Sequence, residues 1–596
     1  MVEESNLKEK EKPKSAKTVF SLIKSTVIRA VSNAKRTVLG SFLSRKKESI
    51  TKLIKTELLN KINLDEKHLN DIFSSASVEN GNHKPEVKKI KFKSILIANR
   101  GEIALRIVRA CRELGIKPYI IYASQDKESL AVKFSEKAFG IGKSGINYLD
   151  PKKIIKIAKK AKVDAIHPGY GFLSENPKFA EMCEQNKIKF IGPSSKVISL
   201  LGDKVKAREV MHDAGIPIIG GTKRALKDAN DALDIANKLG YPVILKAAAG
   251  VGGKGVRIVN APEELPKAFE SAQQEAQNAF ADSNLYIEKY IVCPRHIEFQ
   301  ILGDKYGNVI HLGERECSIQ RKYQKLIEEA PSIVLTPELR KQMGDIAVKI
   351  ASLVGYEGAG TIEFLLDKNG KFFFIEMNTR IQVEHGITEM VTGLDLVKEQ
   401  IKIAAGVRMG FKQDEIKILG HAIECRINAE SPRNNFSPSI GKITNYLPPG
   451  GPGIRVCSSC HQGQEVSPDY DSMVAKLMCY GKNRKEAIAR MKRSLDEYII
   501  EGIETTIDLH KQILTEEDFI EGNLDTHFIE SHNIIEKLGK PKKERKKSPT
   551  KDEKMLIITT AVSKYLENKE ANNSSPAKVS SWVMAGRQEM VNEGNL

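Results

Sequence analysis

The sequence predicts a protein of mixed class, an α/β part followed by α+β parts, and three observations support this. Between residues 94 and 122, short apolar runs alternate with a helix-period stretch, and strand–helix–strand alternation indicates a parallel sheet. From about residue 203 to 290, a glycine loop lies between two short strands flanked by helices. Residues 291–420 then hold several strand-like runs, which indicate a larger α+β unit.

The chain begins with a basic extension, residues 1–93. Residues 15–45 place apolar side chains at helical spacing with Lys and Arg between them, which predicts a basic amphipathic helix. A docking helix or solvated arm is one interpretation, and contact with a membrane surface is the other. Residues 74–93 are polar and predict a linker.

Residues 94–205 are the predicted α/β domain. Ser94–Ala98 and Lys117–Tyr122 are its first predicted strands, and a helix is predicted from Ile103 to Leu114 between them. Asp164–Gly171 ends a further strand in a glycine-rich turn.

Residues 206–420 are the next predicted domain. Its residues 219–290 predict a small lid-like unit, in which strands Pro242–Lys246 and Gly255–Val259 flank the glycine loop. The strands of the remainder are predicted at His296–Leu302, Val309–Gly313, Gly360–Leu366 and Phe372–Glu376.

Two further parts follow, a globular domain at residues 421–535 and a tail at residues 536–596. Lys540–Lys547 is a charge run and predicts a linker, while Glu553–Leu566 has the spacing of a short helix. Beyond it lies Trp582, the only tryptophan. The tail is interpreted as a docking peptide for a partner chain, with a disordered tail as the alternative.

Composition narrows the class of protein. The 596 residues are 41% hydrophobic, which is enough for packed cores, and eight cysteines in so long a chain are not a disulfide framework. Most of the net charge of +18 lies in residues 1–93 and 540–596, so a nucleic-acid-binding core is not indicated. No segment approaches the roughly 18 apolar residues of a membrane span.

The N-terminal residues bear on localisation. The first 15 residues carry several Glu and do not resemble a secretory signal. We therefore expect a cytoplasmic protein. A mitochondrial transit peptide is the alternative, because residues 15–47 are basic and Ser-rich, but the acidic start counts against it.

The glycine loop Ala249–Gly255 is a candidate phosphate site, because glycines let backbone N–H groups approach a phosphate closely. It is not a Walker A loop, since Lys254 is followed by Gly rather than Ser or Thr. A simple hairpin remains the alternative on this pattern alone.

Two glutamates in apolar strands give a stronger signal. Glu363 and Glu376 each lie in a strand-like run, and a carboxylate facing a core is costly unless it is paired or bound to metal. With Asn378 they would make an oxygen-rich site suited to Mg²⁺. Periodicity alone leaves open the alternative of two surface-facing glutamates.

The residues that follow favour the metal site. The segment Glu376–His385 places an arginine and a second carboxylate close to the candidate metal ligands. Arg380 offers a rigid guanidinium fork for a small planar anion, and Glu384 can act as a base.

A pair of cysteines carries a different signal. Cys457–His461 spells the pattern of c-type haem attachment, but it lies inside the last predicted domain. A lone CxxC is only half of a zinc site. Two incidental cysteines are therefore expected.

Several long motifs occur in order along residues 94–535. They are Ile97–Ala104, His167–Asn176, Gly202–Lys204, Glu288–Tyr290, Pro294–His296, Glu328–Pro331, Glu376–His385, Glu424–Glu430 and Tyr470–Met473. With these motifs the chain resembles the biotin carboxylase component of biotin-dependent carboxylases, of the type found in acetyl-CoA carboxylase and pyruvate carboxylase. The resemblance implies an ATP-grasp fold with an N-terminal Rossmann-like domain, a mobile lid and a C-terminal biotin carboxylase domain.

The resemblance also implies a reaction and its cofactors. An ATP-dependent ligase of this family would use ATP, Mg²⁺ or Mn²⁺, and bicarbonate to form carboxyphosphate, which releases CO₂ beside biotin. The positively charged groups and the metal would spread the developing charge. Closure of the lid would exclude water from the labile intermediate.

Roles for individual residues follow from the same resemblance. The catalytic residues would be Lys325, Arg380, Glu384 and Arg426, of which Glu384 would deprotonate bicarbonate and Arg426 would steady the biotin oxyanion. Lys325, Arg380, Gln382 and Val383 would hold bicarbonate, and Glu363, Glu376 and Asn378 would bind metal. The nucleotide would meet Lys204, Lys246, Gly252, Gly253, Glu288, Lys289, Tyr290, Ile291, His296, Tyr323, Glu363 and Glu376.

The sequence departs from the family pattern at four positions. Ala249 and Val251 interrupt a loop that is usually richer in glycine, and side chains limit close backbone approach. Tyr323 stands where a histidine is usual, and Gly386 where a proline is usual. These departures leave the catalytic groups intact and bear on lid closure and nucleotide affinity.

Partners are implied as well. No Met-Lys-Met motif occurs, so the biotin-bearing lysine is expected on a separate carrier protein, with the carboxyltransferase on further subunits. A homodimer is implied by the resemblance. The choice among acetyl-CoA, propionyl-CoA and pyruvate as final acceptor lies in the carboxyltransferase.

Two other functions are compatible with parts of the sequence. An enzyme of the same fold could act on another acceptor, such as an amine in carbamoyl-phosphate synthesis, but Arg426 and the segment from Arg380 to Glu384 argue against it. The altered glycine loop and the two tails suggest instead a non-catalytic scaffold within a carboxylase complex.

Overall fold

The computed structural model describes residues 90–539 except 223, 248–254 and 281, with only the backbone described at Lys204, Val205 and Phe280. The chain divides into two units, Met1–Ile90 and Lys91–Leu596. The amphipathic helix predicted at residues 15–45 and the tail beyond residue 539 lie outside the described residues. None of the described helices is long and apolar enough to cross a bilayer.

The first part of the described chain is built on a five-stranded parallel sheet of order β3-β2-β1-β4-β5, so the predicted α/β part is confirmed. Every residue of β1 is buried, as expected for a central strand of a parallel sheet covered on both faces. The elements are β1 (Ser94–Ile97), α1 (Gly101–Glu113), β2 (Lys117–Tyr122), α2 (Leu130–Lys133), β3 (Lys137–Gly140), α3 (Pro151–Ala161), β4 (Ala165–His167), α4 (Pro177–Gln185), β5 (Lys189–Phe190), α5 (Ser195–Gly202) and α6 (Lys204–Asp213).

The next part is a small unit with its own sheet and core. Its three antiparallel strands have the order β7-β6-β8, and Leu245, Val259, Phe269 and Ile287 lie in one apolar cluster between sheet and helices. The elements are α7 (Ala229–Leu239), β6 (Val243–Ala247), β7 (Val256–Val259), α8 (Leu265–Phe280) and β8 (Leu285–Lys289). The strands predicted at Pro242–Lys246 and Gly255–Val259 are confirmed as β6 and β7 to within one residue at each end, whereas β8 was not predicted.

An eight-stranded antiparallel sheet forms the largest part, with the order β13-β12-β9-β10-β11-β14-β21-β19. Helix α9 begins where the sequence signals a start, because Thr336 caps the N–H of Leu339 and Pro337 occupies the first turn. The elements up to the predicted boundary at residue 420 are β9 (Arg295–Gly303), β10 (Val309–Arg321), β11 (Gln324–Ala330), α9 (Pro337–Leu353), β12 (Gly358–Leu366), β13 (Phe372–Asn378), α10 (His385–Thr392) and α11 (Leu396–Ala404).

The same sheet continues into the last part of the described chain, because β11 pairs with β14. The strands there are β14 (His421–Asn428), β15 (Glu430–Ser431), β16 (Ser437–Pro438), β17 (Gly441–Lys442), β18 (Asn445–Leu447), β19 (Ile454–Ser458), β20 (Glu465–Val466), β21 (Met473–Gly481) and β22 (Ile499–Glu501). The helices are α12 (Arg484–Glu497), α13 (Ile507–Ile513), α14 (Glu517–Glu521), α15 (Phe528–Ser531) and α16 (Ile534–Lys537).

The predicted end of β10 was wrong. The strand was expected to stop at Gly313 but runs on to Arg321. Its continuation carries Glu314, Arg315 and Glu316, which are all buried. A run of charged residues in a sequence is typical of an exposed loop. Here the three side chains form ion pairs inside the protein, so the strand continues through them.

Candidate active site

Three carboxylates form a row across the large sheet. Glu298 of β9 lies opposite Glu363 of β12, and Glu363 lies opposite Glu376 of β13. Glu298 and Glu363 are buried and Glu376 is half-buried. Like charges directly opposite on neighbouring strands repel each other, so the row needs cations beside it.

Lys325 of β11 is one such cation. Its Nζ lies 2.5 Å from Glu298 Oε2, 3.0 Å from Glu363 Oε1 and 2.7 Å from Glu384 Oε1. Burial alone would lower the pKa of Lys325, but Cys317 and the three carboxylates raise it well above its usual range. The amine is therefore held charged between the strands and the loop that follows β13.

Arg315 of β10 lies fully buried beside the row. It pairs with Glu298 and donates to Gln300 Oε1 at 2.7 Å and to Gln382 Oε1 at 2.9 Å. A buried charge is tolerated when it is paired and its donors are satisfied. Arg315 therefore fixes Glu298 from one side while Lys325 holds it from the other.

Glu384 joins two cations. Its second oxygen, Oε2, lies 2.9 Å from Arg426 Nη2, while its first faces Lys325. Burial would raise the pKa of Glu384, but Lys325 and then Arg426 hold it well below its usual range. Glu384 is therefore a carboxylate at neutral pH and can accept a proton.

Arg426 of β14 also binds a second acid. Its Nε lies 2.5 Å from Glu328 Oε1 of β11. Burial raises the pKa of Glu328 to about 7, and Arg426 only partly opposes that shift. The pKa values of the two carboxylates on either side of Arg426 are thus shifted in opposite directions, up for Glu328 and down for Glu384.

Arg380 lies at the edge of this network. Its Nη2 donates to Asn378 Oδ1 at 2.8 Å and its Nε donates to Glu175 Oε2 at 2.9 Å. Burial would lower its pKa, but Glu175, Glu384 and Glu363 raise it. Arg380 is therefore a fixed positive charge.

The loop after Arg380 is hydrogen-bonded to β12, which carries the candidate metal ligand Glu363, and to β21. Gln382 donates from Nε2 to Glu363 Oε1 at 2.7 Å, and the carbonyl of Val383 accepts a bond from Lys476. Lys476 is fully buried and lies 3.0 Å from Glu102. The backbone of the loop is therefore anchored to β21.

The donor set around Glu363 fits a hard divalent cation. Glu363 and Glu376 offer carboxylate oxygens from paired strands, and Asn378 lies close enough to donate to Glu363 Oε1 at 2.9 Å. His296 Nε2 lies 3.0 Å from Glu363 Oε2. Oxygen-rich sites of this kind suit Mg²⁺, so the alternative of two surface-facing glutamates fails for Glu363, which is buried.

A second cluster forms around Glu288 of β8. Its Oε2 lies 2.7 Å from Lys246 Nζ of β6, and its Oε1 pairs with Arg208 of α6. The charges of Lys246 and Arg208 are thus gathered at one carboxylate. The predicted partners Gly252 and Gly253 lie outside the described residues, as does the side chain of Lys204.

Three of the remaining nucleotide candidates, Lys289, Tyr290 and Ile291, directly follow Glu288 along the chain. Lys289 Nζ donates to the carbonyls of Gly240 and Tyr241 at 2.9 Å each. Tyr290 bonds to His527 at 2.7 Å, and Ile291 is half-buried. Tyr323 is 59% exposed and lies in the turn between β10 and β11 at φ +65°.

The structure thus brings nine of the predicted site residues together in two clusters. One cluster is a hydrogen-bonded network with Arg380 at its edge, and its other members are Lys325, Glu363, Asn378, Gln382, Glu384 and Arg426. Lys246 and Glu288 form the other. The structure does not join Tyr290 or Tyr323 to the first cluster through any described hydrogen bond.

Sequence reasoning missed several residues of these clusters. Glu298 could have been found, because His296, Glu298 and Gln300 alternate along one strand and all face inward, which is unusual for polar residues. Glu175 and Arg208 gave no such signal. Their partners lie far away in the sequence and meet them only in the folded chain.

Family models match three stretches of the chain. They are the biotin carboxylase N-terminal domain at residues 91–198, the ATP-binding domain of the carbamoyl-phosphate synthase L chain at residues 203–412, and the biotin carboxylase C-terminal domain at residues 424–531. Biotin carboxylase 1 of Bacillus subtilis is 54% identical over 446 residues, which cover 74% of this chain and 99% of that protein. This chain belongs to the biotin carboxylase family.

Other relatives agree with the biotin carboxylase assignment. A pyruvate carboxylase subunit of Methanothermobacter thermautotrophicus is 55% identical over 443 residues, which cover 74% of this chain and 90% of that protein. A crystal structure of the biotin carboxylase domain dimer of Hydrogenobacter thermophilus 2-oxoglutarate carboxylase, with MgADP, ADP and bicarbonate, matches with a TM-score of 0.72. That match is 51% identical and covers 74% of this chain and 98% of that one.

A Campylobacter jejuni biotin carboxylase in complex with β,γ-ATP also matches, with a TM-score of 0.72, 51% identity, and coverage of 74% of this chain and 99% of that one. The predicted family and ATP-grasp fold are therefore confirmed. The predicted ligase class and its ATP, Mg²⁺ and bicarbonate chemistry are confirmed with them.

Proposed function

We propose that this chain uses ATP and bicarbonate to carboxylate biotin carried on a separate protein. The observation that supports this best is the network of Lys325, Glu384 and Arg426. It places one ionised carboxylate between two fixed cations, next to the carboxylates of Glu363 and Glu376. Such a site can bind a small anion, accept its proton and stabilise the charge that then develops.

Glu384 is the proposed base. Its low pKa makes it a weak base, so proton transfer from bicarbonate depends on stabilising the product. Lys325 and Arg380 are proposed to hold bicarbonate, with Gln382 and the Val383 backbone completing its site. Because both cations are fixed before the substrate arrives, little reorganisation is needed when its charge grows.

Glu363, Glu376 and Asn378 are proposed to hold Mg²⁺, which when bound would neutralise phosphate charge. Lys204, Lys246, Glu288 and His296 are proposed to contact the nucleotide. The rest of the nucleotide site is proposed to consist of Lys289, Tyr290, Ile291, Tyr323, Gly252 and Gly253. Since Glu288 is paired with Lys246 and Arg208, a phosphate near Lys246 would compete for that amine.

Arg426 is proposed to steady the biotin oxyanion. Its two hydrogen bonds to Glu328 and Glu384 fix the guanidinium plane. A fixed guanidinium can stabilise an oxyanion more effectively than a freely moving one, because its orientation is already set. Carboxyphosphate would split into CO₂ and phosphate, the phosphate would take the N1 proton of biotin, and N1 would then attack CO₂ in the same site.

The assembly is proposed from the relatives. We infer that this chain forms a homodimer and works with a biotin carboxyl carrier protein and carboxyltransferase subunits in the cytoplasm. Support comes from the Hydrogenobacter structure, which is a domain dimer, and from the Methanothermobacter relative, which is named as one subunit of its enzyme. The domain division at residues 94–205, 206–420 and 421–535 also stays a proposal.

The decisive experiment is ATP cleavage by the full chain with free biotin and bicarbonate, followed as ADP release. We expect activity that needs both substrates and that falls at least about 10²-fold in Arg426→Gln. Arg493→Gln is the matched control, because Arg493 lies on an exposed face of α12 and pairs with Glu497. Folded protein without bicarbonate-dependent cleavage would favour the scaffold, and transfer to an amine would favour the carbamoyl-phosphate alternative.

A further inference from the structure

At the surface beside Tyr290, which is proposed for the nucleotide site, three metal-ligand side chains of different types meet. Cys293, Asp525 and His527 each place one ligand atom within 4.8 Å of the others. Cys293 is exposed and the other two are half-buried. All eight cysteines of the chain are described, and the other seven are buried.

The two chain segments that carry these ligands are fixed to each other by backbone contacts. The N–H of Thr526 donates to the carbonyl of Pro294 at 3.0 Å. Arg295 donates to the carbonyl of Gly522 at 2.7 Å. Cys293 and His527 are the neighbours of Pro294 and Thr526, so their separation is set by the fold and not by long side chains.

The ligands are also individually positioned. Asp525 Oδ1 accepts the N–H of His527 at 2.7 Å, and Tyr290 OH lies 2.7 Å from His527 Nε2. The bond from Asp525 is to the backbone of His527, whereas Tyr290 bonds to the imidazole ring and sets its orientation, as the outer partners of metal-binding histidines do. A cation entering the cluster would therefore meet a partly organised site.

The chemistry of the three ligands selects the type of cation. A thiolate, an imidazole and a carboxylate together suit Zn²⁺, whereas Mg²⁺ and Ca²⁺ prefer oxygen alone. Around tetrahedral Zn²⁺, ligand atoms are separated by about 3.5 Å. Small side-chain rotations would bring ligands that now lie within 4.8 Å to that spacing.

We propose that Cys293, Asp525 and His527 form a binding site for a zinc-class cation, with the fourth position open to water. Three protein ligands and one open position is a common arrangement for this ion. The cation would join the segment that follows β8 to the segment that precedes α15. It would thereby stabilise the docking of the C-terminal helices of the described chain.

Cobalt binding gives the most direct test, because a thiolate bound to Co²⁺ produces a charge-transfer absorption band. The reduced full chain is titrated with Co²⁺, and Zn²⁺ is then added to displace the Co²⁺ and abolish the band. The number of Zn²⁺ ions bound per chain is measured by equilibrium dialysis. We expect one such site per chain. In Cys293→Ser the band should vanish and Zn²⁺ affinity should fall at least about tenfold.

Two further variants distinguish this site from the Cys457–His461 motif as the place where the cation binds. Asp525→Asn should weaken Zn²⁺ binding while keeping the band, because the thiolate remains. Cys460→Ser should change neither, since Cys460 is buried and its thiol donates to the carbonyl of Val474 at 3.3 Å. It tests the Cys457–His461 motif, the other place where cysteine and histidine lie close in sequence.

Thermal unfolding provides a readout that does not depend on cobalt. Zn²⁺ should raise the Tm of the parent chain and of Cys460→Ser, but not that of Cys293→Ser. The proposal is overturned if the parent shows no thiolate band. It is equally overturned if Cys293→Ser binds Zn²⁺ as the parent does, or if the band is lost in Cys460→Ser.

Discussion

Arg380 is held by Glu175 and Asn378, and neither of these lies in the cluster around Glu288. Arg380→Ala should therefore lower biotin-dependent ATP cleavage by about 10²- to 10³-fold and leave ADP affinity nearly unchanged. Cleavage is followed as ADP release and binding by calorimetry, with Arg493→Ala as the control. An Arg380→Ala enzyme with most of its activity would remove Arg380 from the anion site.

The acid beside Arg426 gives a prediction about pH. Burial raises the pKa of Glu328 from 4.5 to about 7, so between these values the folded chain keeps a proton that the unfolded chain has lost. Stability then falls as pH rises through this window. Glu328→Gln has no such proton, so its Tm relative to the parent should rise from about pH 4.5 to about pH 7 and then level off.

The measurement is a pair of melting curves at each pH, in the same buffers, for the parent and Glu328→Gln. Titrating groups far from Glu328 are common to both proteins and cancel in the difference, whereas the pKa of Glu424, which burial and Glu328 raise, changes with the substitution. A difference in Tm that stays constant across the window would mean that Glu328 does not take up its proton there.

At the scale of elements, the pairing of β12 with β13 places Glu363 opposite Glu376. Glu363→Gln and Glu376→Gln should each raise the Mg²⁺ concentration needed for half-maximal activity, because each removes one formal charge from the proposed metal site. Glu357→Gln is the control, since Glu357 directly precedes β12 but pairs with Lys189. Unchanged Mg²⁺ titrations in both variants would refute the metal assignment.

Helix α10 and strand β21 meet at Gly386. A Cβ at this position would lie 2.3 Å from Met478 Sδ, and Met478 is fully buried. Gly386→Ala should therefore destabilise the protein by about 1–3 kcal/mol through overpacking. The departure from the family pattern at Gly386 thus provides space for Met478.

The double variant separates this steric effect from a change in helix propensity. Once Met478→Ala has opened space, Gly386→Ala should be neutral or stabilising, because the methyl group fills a cavity and alanine favours the helix. Melting temperatures of the parent, both single variants and the double variant complete the cycle. Equal costs of Gly386→Ala in both backgrounds would exclude the contact with Met478.

Strand boundaries show how far the sequence could be interpreted. The strand Lys117–Tyr122 is observed as predicted, because a short apolar run between polar turns is typical of a buried strand. Glu363 and Glu376, which were predicted to share one metal site, lie opposite each other on paired strands, since the two strands are neighbours along the chain. Glu298 and Arg315 were not predicted to join them, because their strands pair across intervals that sequence periodicity does not measure.

At the scale of the whole molecule, all described residues of the active-site network lie after residue 90. Deleting residues 1–90 should therefore leave carboxylation of free biotin within about twofold of the full chain. The extension should instead affect assembly with partner chains or contact with a membrane surface. A truncated protein that is folded but inactive on free biotin would show that the extension completes the site.

The unbroken ladder from β11 to β14 also constrains how such chains can be recombined. Arg426 stands on one side of that ladder and Lys325 on the other, so their spacing depends on hydrogen bonds between backbones and not on a hinge. In a chimaera joined near residue 420, β11 and β14 would come from two different parent proteins. Its parents would have to agree in strand twist as well as in catalytic residues, which makes the junction a poor place for exchange between distant relatives.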